Sequence, residues 1–364
     1  MLDDLRERLA RTRWPEPIEG TGWDYGAEIA TVRDLCEYWR DGYDWRRHES
    51  ALNAVPQFLC EVDGVDLHFW HVRGKGPDPM ALLLIHGWPG SMYEFFELLG
   101  PLTDPVAHGG NAADAFDVVV PALPGFGFGG RPRERGWGIS RIAAAFDTLM
   151  TEALGYERYG AQGGDWGSMV AAKLGAAYPD RVAGVHLNML VAPPPEHPGP
   201  EDAEALERDR AWRTYEAAYS RQQRTKPDSL TVAQADSPAG LAAWIVEKFR
   251  TWSDCDGDVL GAFGRDTLLT NLMFYWAPNS VASAARIYYE NARDPAGVAT
   301  RGRVEVPVGY AAFPKEISRP PRSWAEPHYA ITRWTEMPRG GHFAALEAPD
   351  LLVEDVRAFF RELR

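Results

Sequence analysis

The run Gly163-Gly164-Asp165-Trp166-Gly167-Ser168 sets one carboxylate among glycines, after an apolar stretch at 159–162 and before the helical pattern of Met169, Val170, Ala172 and Leu174. A strand that bends sharply into a helix, with small-x-acid-x-small at the bend, has the shape of a nucleophile elbow. The bend forces one residue into strained backbone geometry, and only hydrogens fit beside it between strand and helix. It also puts the carboxylate at the helix head, where free N–H groups and partial positive charge favour an anion. Such a carboxylate can attack carbon and form an ester. The plainer alternative is a Gly-rich turn carrying a solvated Asp165.

A nucleophile of this kind needs a base, an acid to orient the base, and donors for an oxyanion. Arg339-Gly340-Gly341-His342-Phe343 follows the last strand signal and precedes the last helix, a suitable seat for the base, and the order nucleophile, acid, His also fits. Among nine histidines this Gly-flanked loop singles out His342; the alternative is a loop histidine bonded to backbone. Glu316 is the only carboxylate in Tyr310-Ala311-Ala312-Phe313-Pro314-Lys315-Glu316-Ile317, the loop expected after a strand at 304–308. Position alone leaves open whether it orients the histidine or is a solvated loop glutamate. The loop His86-Gly87-Trp88-Pro89-Gly90 follows an inner strand and can aim the Trp88 N–H at the same point as the N–H of Trp166, forming an oxyanion hole. His86 itself reads as structural.

The elements that must position these residues are legible from periodicity. Residues 3–13 read as a helix, with Leu2, Leu5 and Leu9 on one face, closed by Trp14-Pro15-Glu16-Pro17. A second amphipathic segment spans 29–39. Segments 57–62 and 65–72, joined by Asp63-Gly64, form a hairpin with good turn chemistry. Apolar strands at 81–85, 116–120, just before the elbow and at 182–188 alternate with helices, one of them at 139–154. That rhythm implies a mostly parallel sheet covered on both faces. It breaks at Ala192-Pro193-Pro194-Pro195, and from about 195 to 300 the pattern is helical, with Trp212, Tyr215 and Tyr219 at helical spacing. Strands resume at 304–308 and 330–334, followed by a final helix at 350–363. A helical insertion with a Pro-rich entry is expected to lie over the C-terminal edge of the sheet, where open α/β sheets bind ligands. The expected division is therefore an N-terminal helical extension packing on the core (1–55), the core itself (56–192 and 301–364) and a helical lid (193–300).

Composition excludes several classes. The net charge of −14 argues against nucleic acid and anionic membrane surfaces. Three scattered cysteines give neither a disulfide framework nor a metal pattern. The charged start, Met1-Leu2-Asp3-Asp4-Leu5-Arg6-Glu7-Arg8, has no signal-peptide core, and no stretch reaches the roughly 18 apolar residues of a membrane span. The chain reads as soluble and cytoplasmic, and a homodimer is compatible with it. Fourteen tryptophans hint at an aromatic-lined pocket. Two motifs are decoys. Gly125-x-Gly127-x-x-Gly130 is followed by Arg131-Pro132-Arg133-Glu134 rather than a helix that could seat a pyrophosphate. Asp254-x-Asp256-Gly257-Asp258 has a misplaced glycine for a calcium loop, and Arg265 stands where a bidentate Glu is needed.

Taken together, Arg13-Trp14-Pro15, His86-Gly87-Trp88-Pro89-Gly90-Ser91, Gly163-Gly164-Asp165-Trp166-Gly167-Ser168, Phe313-Pro314-Lys315-Glu316 and Gly340-Gly341-His342-Phe343-Ala344-Ala345-Leu346-Glu347 resemble the microsomal-type epoxide hydrolases. This branch of the α/β-hydrolase fold also has soluble fungal and bacterial members and insect juvenile-hormone enzymes. With five lysines among 38 basic residues, the chain looks like a high-GC bacterial member, without the N-terminal anchor of the mammalian enzymes. The resemblance implies Asp165 as nucleophile, Glu316 as charge-relay acid and His342 as water-activating base. It also implies two lid tyrosines as donors to the epoxide oxygen, Tyr219 and Tyr288, with Tyr215 and Tyr289 as the nearest rivals in register. The expected substrate is an apolar epoxide, opened to a vicinal diol with water and no metal or organic cofactor. A haloalkane dehalogenase, which would also use an elbow aspartate and could bind halide at Trp166, is the alternative enzyme. A catalytically silent binding protein on the same scaffold is the alternative outside enzymes.

Overall fold

The computed structural model describes residues 1–295 and 303–364, so the last residues of the expected lid (296–300) and the first two of the resumed core (301–302) lie outside the described residues. Eight strands form one sheet: β1 (Gln57–Val62), β2 (Val65–Val72), β3 (Met80–Ile85), β4 (Phe116–Pro121), β5 (Tyr159–Gly163), β6 (Val182–Leu187), β7 (Val304–Ala312) and β8 (Tyr329–Glu336). Their spatial order is β1-β2-β4-β3-β5-β6-β7-β8. β1 and β2 form the hairpin, its turn made by Asp63 (φ 52°) and Gly64 (φ 73°), and β2 runs antiparallel to β4. All other pairings are parallel, as the alternation of strands and helices implies.

The inner strands are buried on both faces and read as unbroken apolar runs, the signature of a covered parallel sheet. In β3, Leu82, Leu83, Leu84 and Ile85 have no accessible surface. Each such side chain stabilises the fold by roughly 1.5–3 kcal/mol. β7 runs four residues beyond the strand expected at 304–308, because Gly309 is not a breaker there. A Cβ at Gly309 would come within 2.7 Å of the Phe359 ring, so the glycine lets the C-terminal helix pack on the strand.

The helices divide into three groups. α1 (Leu2–Ala10), α2 (Ile29–Asp41) and α3 (Trp45–Asn53) form the N-terminal extension. α4 (Phe96–Thr103), α5 (Ile139–Thr148) and α6 (Asp165–Ala177) flank the sheet. Between β6 and β7 lie α7 (Ala203–Tyr215), α8 (Ala218–Thr225), α9 (Pro227–Asp236), α10 (Pro238–Trp252), α11 (Val259–Phe263), α12 (Arg265–Trp276) and α13 (Val281–Asn291), the helical lid. α14 (Arg322–Ala325), α15 (Ala344–Glu347) and α16 (Pro349–Arg361) close the chain. The extension meets the lid as well as the sheet domain. Tyr38 donates to Asp266 (2.7 Å), Tyr43 bonds Thr270 (2.9 Å), and Trp39 meets Trp276 edge-on.

Candidate active site

Asp165 is the first residue of α6 and has φ +48°, a left-handed conformation that few non-glycine residues adopt. Its neighbours explain how the bend is tolerated. A Cβ on Gly167 would overlap the Ile85 carbonyl, and one on Gly163 would overlap the Gly167 carbonyl. A Cβ on Gly87 would overlap the Asp165 carboxylate itself. Strand β3, the elbow and the loop after β3 therefore touch backbone to backbone.

The carboxylate is held from two sides. Asp165 Oδ1 accepts the Trp88 N–H (2.7 Å), and Oδ2 lies 3.4 Å from His342 Nε2. His342 Nδ1 lies 2.8 and 3.1 Å from the two oxygens of Glu316; a carboxylate only accepts, so the proton sits on Nδ1. Glu316 is buried and also accepts the N–H groups of Ile317 (2.6 Å) and Ser318 (3.3 Å). Burial opposes a charge on His342, but the carboxylates of Glu316 and Asp165 outweigh it and raise its pKa well above 6.5. The two carboxylates thus favour the protonated form of the imidazole between them.

Two acids that sequence reasoning left without a role fix the histidine loop. The Asp254 carboxylate accepts the Gly340 N–H (2.9 Å), while Glu347 accepts the N–H groups of Asp254 (2.7 Å) and Phe343 (2.8 Å). The His342 N–H donates to the Trp252 carbonyl (2.9 Å) at the end of α10. Asp254 had stood out only as part of a failed calcium loop, and only the fold brings it to Gly340. Glu347 lay inside a quoted motif, but nothing in its spacing distinguished a loop clamp from a solvated helix carboxylate.

Over the elbow hang Tyr219 of α8 and Tyr288 of α13, both buried, with ring centroids 5.9 Å apart. Tyr219 stacks on the Trp88 ring (5.2 Å, 9°), and Tyr288 meets the Trp166 ring edge-on at 4.7 Å. The polar neighbours of the Tyr288 hydroxyl, Tyr219 and Trp166, sit outside hydrogen-bonding geometry, so it has no partner among the described residues. Burial, and with it the charge of Asp165, pushes both phenols well above their ordinary pKa of 10, so both keep their protons. The rivals stand elsewhere: Tyr215 is 80% exposed, and Tyr289 lies under the Arg293 guanidinium. His86 bonds the Gly87 carbonyl through Nδ1 (3.0 Å) and accepts the Leu123 N–H at Nε2 (3.0 Å), tying two loops together.

Comparison with known proteins fits this geometry. The family described as "Epoxide hydrolase N terminus" matches residues 1–95, and the one described as "alpha/beta hydrolase fold" matches residues 81–243. A Stigmatella aurantiaca protein carrying the epoxide hydrolase name is 45% identical, over all of this chain and 83% of its own length. Epoxide hydrolase 1 of Oryctolagus cuniculus is 36% identical over 98% of this chain and 86% of its own. The chain belongs to the epoxide hydrolase family. Among solved structures, the juvenile hormone epoxide hydrolase of Bombyx mori superposes with a TM-score of 0.92 at 30% identity, covering 100% of this chain and 92% of that one. The epoxide hydrolase of Aspergillus niger gives 0.87 at 31% identity, covering 100% and 94%. None of these relatives supports the haloalkane dehalogenase alternative.

Beside the elbow of this family member lies a cavity of about 510 Å³, lined by Asp165, Tyr219 and Tyr288 together with Met189, Trp212 and Trp324. Three of the chain's fourteen tryptophans (166, 212 and 324) face it. Its wall also carries Arg208 and Arg319, and burial beside Arg208 lowers the Arg319 pKa. Among the described residues no cluster of His, Cys, Asp and Glu suits a metal ion, and no helix is long and apolar enough to cross a membrane.

Proposed function

We propose that this chain hydrolyses an apolar small-molecule epoxide to a vicinal diol in two steps, through a covalent ester on Asp165. In the first step an Asp165 oxygen attacks a ring carbon and the C–O bond of the oxirane breaks. The oxygen that leaves takes its proton from Tyr219 or Tyr288. In the second, water attacks the acyl carbon of the ester, His342 takes a water proton, and Glu316 holds the imidazolium. The N–H groups of Trp88 and Trp166 stabilise the tetrahedral oxyanion, and the diol departs with the proton returned from His342.

The observation that carries this reading is the stack itself: one carboxylate pinned by the Trp88 N–H, 3.4 Å from His342 Nε2, under two protonated phenols of which one has no partner. Loss of charge from Asp165 on esterification also suits the chemistry. The negative charge moves to the substrate oxygen beneath the phenols, and His342 loses one of the two carboxylates that hold its proton. Its pKa falls when a base is needed; the proton it gives up goes to solvent, and the phenolate left by the first step takes a proton back from water in the epoxide cavity. The three thiols are free, which supports action in a reducing compartment such as the cytoplasm.

Oxygen labelling tests the reading. With enzyme in excess over styrene oxide in ¹⁸O-water, the label should enter the Asp165 carboxylate and be absent from the diol of the first turnover. Label in the first-turnover diol would mean direct attack by water and would sink the ester. His342→Gln should trap the adduct, visible as the mass of enzyme plus epoxide.

A further inference from the structure

We propose that Glu94 holds the ester-cleaving water in a second, smaller chamber that meets the epoxide cavity only at Asp165. The proposal rests on the ester reading above and adds to it the place from which water attacks. The small chamber offers about 10 Å³ to the centre of a water-sized sphere, and its wall includes Gly87, Trp88, Glu94, Asp165, Asn188 and His342. That is room for a single water, which needs two to four polar partners to be held. Asp165 is the one residue common to the walls of the two cavities among the described residues. His342 belongs to the small chamber and not to the large one, so the base faces away from the epoxide. A water taken up by this base must stand on its side of the ester.

Glu94 is built into this place. It lies on the turn Met92–Phe95, whose Met92 and Phe95 are buried in the core. Gly90 makes room for it, since a Cβ there would overlap the Glu94 carboxylate. The Ser91 N–H lies near the carboxylate, and no ion pair fixes the carboxylate among the described residues. Burial, reinforced by the charge of Asp165, pushes its pKa up to about 8, although His342 and the Ser91 N–H pull it down. A carboxyl group largely removed from solvent and held by no ion pair costs stability, and a water in the chamber gives it a partner. Water attack then balances simply. One O–H donates to a Glu94 oxygen, which can accept whether or not the group is ionised, and the other gives its proton to His342 Nε2. The water oxygen bonds to the acyl carbon, the bond from that carbon to the alkyl oxygen breaks, and the diol alkoxide takes the proton back from His342.

The test separates the two chemical steps. Ring opening is followed by stopped-flow tryptophan fluorescence with styrene oxide, and ester hydrolysis by the decay of the mass-shifted enzyme after rapid quenching. Glu94→Leu should slow ester hydrolysis about tenfold or more while ring opening stays within about threefold, so that adduct accumulates. Glu94→Ala should give the same split and covers the case in which leucine does not fit. Glu94→Gln keeps an oxygen that can accept and should restore most of the hydrolysis rate. Hydrolysis at the wild-type rate in Glu94→Leu or Glu94→Ala overturns the proposal, and so does equal slowing of both steps. Absence of any adduct in His342→Gln overturns the ester itself, whatever the Glu94 variants do.

Discussion

Replacing Tyr288 by Phe separates a proton donor from a core aromatic, because the two roles move stability and activity in opposite directions. The Tyr288 ring is packed against Trp166, Trp88 and Tyr219, and phenylalanine keeps those contacts. Its hydroxyl is buried without a hydrogen-bond partner. Leaving a buried polar group unsatisfied costs about 1–3 kcal/mol, so removing it should stabilise the protein by about 1 kcal/mol. The chemical step should suffer. Loss of one oxyanion donor costs about 2.7–4 kcal/mol, or 10²–10³ in rate, and Tyr219 remains to cover part of it. We expect the ring-opening rate in Tyr288→Phe to fall about 10²-fold, and the double variant with Tyr219→Phe to fall further than either single one. Urea unfolding gives the stability, and single-turnover fluorescence of Trp166, 4.7 Å from the substituted ring, gives the rate. A Tyr288→Phe enzyme that opens epoxides at the normal rate refutes the donor role. One that is destabilised by more than about 1 kcal/mol refutes the claim that the hydroxyl is unpartnered.

Asp165→Asn removes one of the two charges that hold the His342 proton, so the imidazole pKa, read by side-chain ¹⁵N shifts, should fall relative to wild type; an unchanged titration would mean the pair is uncoupled. The Glu94 carboxyl is raised from 4.5 to about 8, chiefly by burial, and that of Glu347 to about 7. Below pH 4.5 folded and unfolded chains both carry these protons, but as pH rises the unfolded chain ionises first, so this contribution to stability is lost between pH 4.5 and 8. Glu94→Gln should therefore gain on wild type between pH 5 and 8.5, by on the order of 2–4 kcal/mol in urea unfolding; a constant difference between the two would refute the raised carboxyl. Gly167→Ala must push the Ile85 carbonyl off the elbow and should cost at least about 3 kcal/mol, seen as lost soluble protein or a collapsed Tm; a variant of normal stability would show that the bend can relax.

What the sequence discloses here follows from how local each signal is. The sheet was legible because alternation and apolar runs are properties of short segments, and the elbow because its glycines are set by contacts within a few residues. Asp165 and His342 could be picked out for the same reason: each sits in a Gly-flanked bend next to its own strand. Glu316 was ambiguous by position, and its accepting bonds from Ile317 and Ser318 became visible only with backbone coordinates. Tyr219 and Tyr288 lie 69 positions apart on separate helices, one of them mostly polar, so periodicity could not tell a cavity-facing phenol from a packed one; only the resemblance nominated them. Lys248 was hidden altogether. The apolar pattern around it implies a core helix, yet its ammonium lies buried 5.0 Å from the centre of the Tyr219 ring, beside the rings of Trp244 and Trp252. Glu94, Asp254 and Glu347 act across loops that pattern reading cannot join.

The N-terminal extension looks remote from the elbow, but hydrogen bonds lead from it to the loop at residues 86–90 in two steps. Tyr38 and Tyr43 bond Asp266 and Thr270 in the first turns of α12. Further along that helix Asn271 donates to the Pro89 carbonyl (2.8 Å), and Tyr275 donates to the Gly90 carbonyl (2.6 Å). The same loop supplies the Trp88 N–H that holds Asp165 and the indole on which Tyr219 stacks. An acceptor such as a developing oxyanion is best stabilised by donors already fixed before the reaction, since reorienting them would cost part of what they contribute. A lid free to rock would carry α12, and with it the carbonyls that orient residues 88–90. Bracing α12 from outside therefore fixes the hydrogen bond to Asp165 and the seat of Tyr219 together, and that gives the extension a physical reason to accompany this core.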